Sequence, residues 1–497
     1  MNLFIKKPIN TLLSEAQDAG EQSLLRHLGP VQLIMLGIGA IIGAGLFVRT
    51  AAAAADHAGP GVTISFIVAA LGCAFAGMCY AEFAAMTPVA GSAYTYSYAT
   101  MGEFFAWIIG WDLVLEYGLG AATVAIAWSE YFNKFIAEFI GPGWTIPYAL
   151  CHSPFQSSTD GVSGIINLPA VAIIIGLTLI IVRGIQASAS VNSVIVVVKV
   201  AIVLLCIGFG WQFIKPENHE PMIPAVTSVT NSLGISHSFG GWGGILAGAG
   251  VVFFAFIGFD AVSTAAQETK NPGRNMPIGI LGSLAICTVL YVLFSYVLTG
   301  IANYTEFRTK GAEASVAYAI SEHMTGYGWL AKLVTVAILF GFSSVILVML
   351  LGQSRVFYSM ARDGLVPKIF AEIHPQFRTP VKSNWLFCVF VGLFAAFIPG
   401  DIVGDMTSIG TLFAFVLVSL GVIMMRKSDP NAERPFRTPF VPIVPLLGAA
   451  VCGAMIFGLG VENWTRLIVW LFLGCGIYFG YGMHHSKVRL ASSQSGQ

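Results

Sequence analysis

The chain has 497 residues, 56% of them hydrophobic and only 10% charged, with equal numbers of acidic and basic side chains. An ordinary soluble domain is about 25% charged, and a mean hydropathy of +0.78 leaves far more apolar surface than a soluble fold of this length buries. The zero net charge gives no basic field for a nucleic-acid partner, so none is expected.

Residues 1–30 carry Lys6, Lys7, Glu15, Asp18, Glu21 and Arg26. They lack the apolar stretch of a cleavable signal and are expected to form a cytoplasmic N-terminal segment. A membrane helix takes about 20 apolar residues. That rule predicts an all-α integral membrane protein with twelve spans, at roughly 31–50, 61–86, 98–128, 165–183, 190–214, 242–265, 277–301, 329–354, 383–399, 402–425, 441–460 and 464–483. Seventeen Lys and Arg, Arg378 among them, then fall on the side of the N-terminus, against seven on the other side, including Arg49, Arg308 and Lys310. The positive-inside rule places both termini in the cytoplasm and the chain in the cytoplasmic (inner) membrane. Residues 139–164 have no Lys or Arg, as suits an outer loop.

Spans 1–5 and 6–10 enter the membrane from opposite sides, which predicts an inverted repeat from topology alone. The transporter core covers 31–425, with halves at about 31–214 and 242–425; two additional helices cover 441–483 and a cytoplasmic tail 484–497. None of the eight cysteines forms a CxxC pair. They read as small buried hydrophobes, with only Cys151 in a polar loop. Soluble-enzyme signatures such as HExxH, GxxxxGK[ST] and GxSxG are missing, so no catalytic role, cofactor or metal is expected.

Two spans are interrupted. Gly37-Ile-Gly-Ala-Ile-Ile-Gly-Ala-Gly45 opens the first, and Phe254-Ala-Phe-Ile-Gly-Phe-Asp260 breaks the sixth. Each glycine costs a helix about 1 kcal/mol relative to alanine, and unwound backbone in a bilayer persists only where it lines a cavity or is buried in protein. Paired breaks in two repeats point to a transporter's binding site. Amides near Ala44 and Gly45 are candidates for a substrate carboxylate. Carbonyls near Ile41, Phe254 and Ile257 are candidates for its ammonium, since broken helix ends carry partial charges of opposite sign; Gly43 and Gly258, within the breaks, complete the candidate substrate-binding residues. The competing reading takes Gly37, Gly39, Gly43 and Gly45 as small residues for close helix packing. Phe254 and Phe259 flank the second break as candidate gates.

Charges inside a membrane are functional candidates. Lys199 sits in Val196-Val-Val-Lys-Val-Ala201, about nine residues into span 5. Desolvation disfavours an ammonium, which makes Lys199 a candidate proton carrier, or a fixed cation in place of sodium; the alternative is a lysine permanently paired to a carboxylate. Glu116, in span 3, is its expected partner or relay, four residues from Asp112 and on the same helix face. Asp260 is expected to cap the second half of span 6. Glu82, Arg355 and Arg362 read as interfacial. Ser343 and Ser344 either line the cavity or bond their own helix.

The two break sequences resemble the span 1 and span 6 signatures of amino acid–polyamine–organocation transporters, in particular the cationic amino acid transporter branch. Tyr80-Ala-Glu-Phe-Ala-Ala-Met-Thr-Pro-Val-Ala-Gly-Ser-Ala-Tyr-Thr-Tyr-Ser-Tyr98, Lys270-Asn-Pro-Gly-Arg-Asn-Met-Pro-Ile-Gly279, Arg355-Val-Phe-Tyr-Ser-Met-Ala-Arg-Asp-Gly364 and Pro435-Phe-Arg-Thr-Pro439 resemble that branch's loops in the same order, over about 25–480. The resemblance implies a LeuT-type five-plus-five inverted repeat with two extra helices and substrate bound at the broken parts of spans 1 and 6. It also implies proton coupling through Lys199 and Glu116, with no sodium site. The expected activity is uptake of a small-molecule L-amino acid by proton symport with alternating access. The alternatives are an obligate exchanger and a membrane amino acid sensor. Neutral or cationic side-chain preference and oligomeric state are left open at this stage.

Overall fold

A computed structural model describes residues 3–8, 28–87, 92–158, 161–183, 189–230, 236–309, 315–377 and 379–495. Glu15, Asp18, Glu21, Arg26, Lys310 and Arg378 lie outside the described residues. Nearly all regular structure is helical. One two-stranded antiparallel hairpin, Thr227–Thr230 against Ser236–Phe239, is the sheet among the described residues.

Eight helical runs are long and apolar enough to cross a membrane, and four shorter apolar helices accompany them among the described residues. The first apolar segment is split into α1 (Pro30–Ile41) and a second helical stretch that starts at Gly45. Helix α2 is Val62–Met86. Ser92–Thr100 forms α3 and Glu103–Phe139 forms α4. The expected third span therefore starts late: Gly102, at φ +98°, turns the chain between the two helices.

Helices α5 (Leu168–Val182) and α6 (Ala189–Gly210) complete the first half. The second half opens with α7 (Gly241–Val252), followed by the 3₁₀ turns Phe253–Phe256 and Asp260–Glu268. Helix α8 (Pro272–Ile301) contains Pro277 near its start. The rest are α9 (Ser315–His323), α10 (Gly328–Arg362), α11 (Val381–Phe397), α12 (Gly400–Ser428), α13 (Ile443–Gly458) and α14 (Val461–Ile477).

The outside of the bundle is as apolar as its inside. Val197 and Leu204 on α6, Val389 and Leu393 on α11, and Phe472 on α14 all face outward. In water such a surface would drive aggregation; against lipid it costs nothing, provided backbone groups are paired inside helices. Seven of the eight cysteines are buried and all are free; Cys151 is buried too, beside Asn133. Glu82 is more than interfacial: it is fully buried and takes both Arg426 nitrogens, Nε at 3.0 Å and Nη2 at 2.8 Å. That pair ties α2 to the end of α12. Arg355 and Arg362 are exposed.

Candidate substrate-binding site

Helix α1 stops at Ile41 because the next residue is extended, with Ile42 at φ −73° and ψ 102°. Helix resumes at Gly45 as a π turn. The carbonyls left over at the end of α1 carry its partial negative charge, and Lys199 reaches them. Its Nζ donates to the Gly39 and Ile42 carbonyls, each at 3.0 Å. Lys199 is 3% exposed and has no carboxylate partner among the described residues. A small void beside it is lined by Ile42, Phe47, Ile338 and Phe342. The amide of Gly43 has no acceptor among the described residues.

The second break has a different cause. Ile257 is extended and Gly258 lies at φ +114°, a conformation that L side chains rarely adopt. Space forbids a side chain there as well, since a Cβ would stand 3.0 Å from the Ala40 carbonyl carbon. The Phe254 carbonyl is used by the Ile257 amide at 3.3 Å. The Ile257 carbonyl and Gly258 amide have no partner among the described residues.

The two breaks touch. A Cβ on Gly45 would stand 2.2 Å from the Ala255 Cα, so only glycine permits this approach. Tyr291 on α8 bridges them, its hydroxyl lying 3.0 Å from both the Ile41 and the Ala255 carbonyls. The structure thus separates the glycines that sequence grouped together. Gly37 and Gly45 serve close packing, Gly37 against Ser283 and Gly45 against Ala255, while Gly43 lies in the break itself. Among the candidate carbonyls, Ile41 and Phe254 already accept a bond and Ile257 is free to take one.

Glu116 lies in a π turn, Val114–Leu119, inside α4. Such turns recur at functional sites. Its carboxyl lies against that of Asp260, and Tyr117 donates to Asp260 Oδ2 at 2.9 Å. The expected cap is not formed: Asp260 is the first residue of the 3₁₀ stretch, the cap position is Phe259, and no side-chain cap bond is made there. Asp112, one turn before Glu116, faces α12 near Gly410. All three carboxyls are at most 1% exposed. The expected Lys199–Glu116 contact is not formed: the lysine is held by carbonyls of the first break, while both Glu116 carboxyl oxygens are buried without a hydrogen-bond partner among the described residues. Ser343 and Ser344 bond the Leu339 and Gly341 carbonyls of their own helix, each at 2.8 Å. Phe254 and Phe259 are buried, and Phe259 packs on Tyr80 and Phe415.

Two features were missed from sequence. Tyr291 was one polar tip in an apolar span. Arg49, counted from sequence only among the outer-side charges, is 4% exposed and bonds Asp401 at 3.1 Å and Asp405, both on α12. The pair Asp401 and Asp405, spaced four apart at a helix start, was the available signal. At the other end Lys7 bonds Asp363 at 2.7 Å, and Tyr94 takes the second oxygen at 2.7 Å.

Comparison with known proteins agrees with this architecture. A family model described as amino acid permease matches residues 28–481. The branched-chain amino acid permease of Bacillus subtilis (strain 168) is 43% identical over 98% of this chain and 99% of its own length. The methylthioribose transporter of the same organism is 40% identical over 98% and 99%. Cationic amino acid transporter 4, vacuolar, of Arabidopsis thaliana is 32% identical over 87% of this chain and 68% of its own length.

Proposed function

We propose, from the premise that this chain belongs to the amino acid permease family of the amino acid–polyamine–organocation superfamily, that it takes up an L-amino acid by proton symport with alternating access. The observation that carries this reading is the meeting of two helix breaks under Tyr291, with a free amide at Gly43 and a free carbonyl at Ile257. A carboxylate and an ammonium on one α-carbon need that combination, and backbone supplies it without burying a charged side chain. The side chains around the breaks are apolar: Ile42, Phe254 and Ile257. They favour a neutral, aliphatic substrate, as the name of the Bacillus branched-chain permease also suggests.

The twelve apolar helices are read as twelve spans, in two inverted repeats of five plus a final pair, with both termini in the cytoplasm. Spans 1, 2, 6 and 7 rock against a scaffold that includes spans 3, 4, 8 and 9. Opening toward the outside parts Arg49 from Asp401 and Asp405; opening toward the cytoplasm moves α1 and α8 together away from that scaffold. Lys199 holds the end of α1 only while its ammonium can donate to both carbonyls, so its protonation and the position of α1 are linked. Glu116 and Asp260 form the second proton store, because two adjacent carboxyls in a dry site share a proton rather than both ionise.

Uptake into proteoliposomes under an inward proton gradient, without sodium, tests the reading. Accumulation of leucine, isoleucine or valine supports it. Uptake only into vesicles preloaded with amino acid makes the protein an exchanger. The 40% identity to a methylthioribose transporter favours one further competitor, methylthioribose; its accumulation in place of amino acids would replace the substrate class.

A further inference from the structure

A groove of about 690 Å³ opens on the face that carries the N-terminus, between the start of α8 and residues 435–436. That face is fixed by the main chain: the Lys270 amide, just before α8, donates to the Leu28 carbonyl, just before α1. The wall along α8 is apolar, with Pro277, Ile278 and Leu281, and Phe436 stands opposite. Glycine allows the two sides to close together at one end, where a Cβ on Gly273 would stand 2.7 Å from Pro435.

The groove is polar only at its rim, and the rim is positive. Arg274 is its one charged lining residue, exposed, with no hydrogen bond or ion pair to its guanidinium among the described residues. Lys270 precedes the groove and Arg437 follows it, both exposed and likewise without a partner among the described residues. The first turn of α8 has no acidic residue. A cation at a helix N-terminus opposes the helix dipole, so this corner concentrates positive charge left without an ion-pair partner among the described residues. One occupant matches both halves: an anionic head for the rim and a hydrocarbon tail for the wall.

We infer that the groove binds an anionic phospholipid of the adjoining leaflet, its phosphate at Arg274 and one acyl chain along Ile278 and Leu281. The groove borders the seam between α8 and α1, where a Cβ on Gly282 would touch Ile34 at 3.1 Å. A seated lipid therefore lies against α8 beside its contact with α1, two helices of the group that moves when this face opens.

Native mass spectrometry of the full chain in detergent, with equimolar phosphatidylglycerol and phosphatidylcholine, tests this independently of transport. Phosphatidylglycerol should be retained preferentially, with about fivefold loss of that preference for each cation removed by Arg274→Gln and Arg437→Gln. Arg274→Lys should keep most of it, and Lys382→Gln, whose lysine pairs with Glu372, should change nothing. Equal retention of the two lipids, or an unaltered preference in the double variant, would overturn the site. Displacement of phosphatidylglycerol by millimolar inorganic phosphate would reassign it to a free anion. A dimer that forms only when lipid is stripped and buries the groove would also overturn it.

Discussion

The two breaks hold opposite charges, and neither neutralises the other. At the first, an ammonium is surrounded by carbonyls: Lys199 binds Gly39 and Ile42. At the second, two buried carboxyls lie near each other: Asp260 accepts from the Tyr117 hydroxyl, and the Glu116 oxygens have no hydrogen-bond partner among the described residues. A direct Lys199–Glu116 ion pair would lock both groups in their charged forms, since breaking a buried pair is strongly destabilising. Held apart, neither is locked in this way, as the proposed proton coupling requires. Tyr291 joins the two breaks mechanically, without carrying charge.

The largest effect is expected where the breaks touch. Gly45→Val puts carbon into the Ala255 backbone, 2.2 Å from its Cα at the first added atom. Substrate binding by thermal-shift titration should be lost; unchanged affinity in a well-folded variant would show that the substrate does not bind here. Next is the contrast between the centres. Lys199→Ala removes two charge-assisted bonds, each worth about 1.5–3 kcal/mol. It should cut proton-driven accumulation by about tenfold or more while leaving some counterflow exchange. Glu116→Gln should likewise suppress accumulation, yet leave α1 in place. If Lys199→Ala retains full accumulation under a proton gradient, the first centre is structural only.

Tyr291→Phe removes the single proton that the hydroxyl shares between two carbonyls and should cost about 0.5–1.5 kcal/mol in stability, with uptake reduced but still coupled. Loss of coupling in this variant would mean that the tyrosine does more than join the breaks. The smallest effect lies far from both centres, in the loop at 139–164. Burial of His152 lowers its basicity, but the Glu130 carboxylate at 2.7 Å outweighs this and holds the imidazole above its ordinary value of 6.5. A raised folded-state value stabilises the protein fully below about pH 6.5, and the contribution disappears as pH rises through it. His152→Asn should therefore lower the melting temperature at pH 5.5, by no more than about 1 kcal/mol, and have little effect at pH 8.5. A penalty that grows with pH would refute the pair.

Hydrophobic run length and loop charge were enough to mark the apolar helices and to name Gly43, Gly45, Ile257 and Lys199 as candidates, because lipid imposes a long, local and one-dimensional signal. The same sequence could not say which glycines pack and which unwind. That depended on what stands opposite each: Ser283 for Gly37, the Ala255 backbone for Gly45, and, among the described residues, no hydrogen-bond acceptor for the Gly43 amide. Nor could it assign the buried charges their partners. Spacing along α4 suggested a carboxylate for Lys199, but the lysine lies beside the open end of α1, while Glu116 lies beside Asp260. The partners of Arg49 are hidden from sequence for the same reason: Asp401 and Asp405 are some 350 residues away in the chain. Burial and periodicity are properties of a segment and can be read from it. The partner of a buried polar group is a property of the packing, and only the tertiary fold decides it.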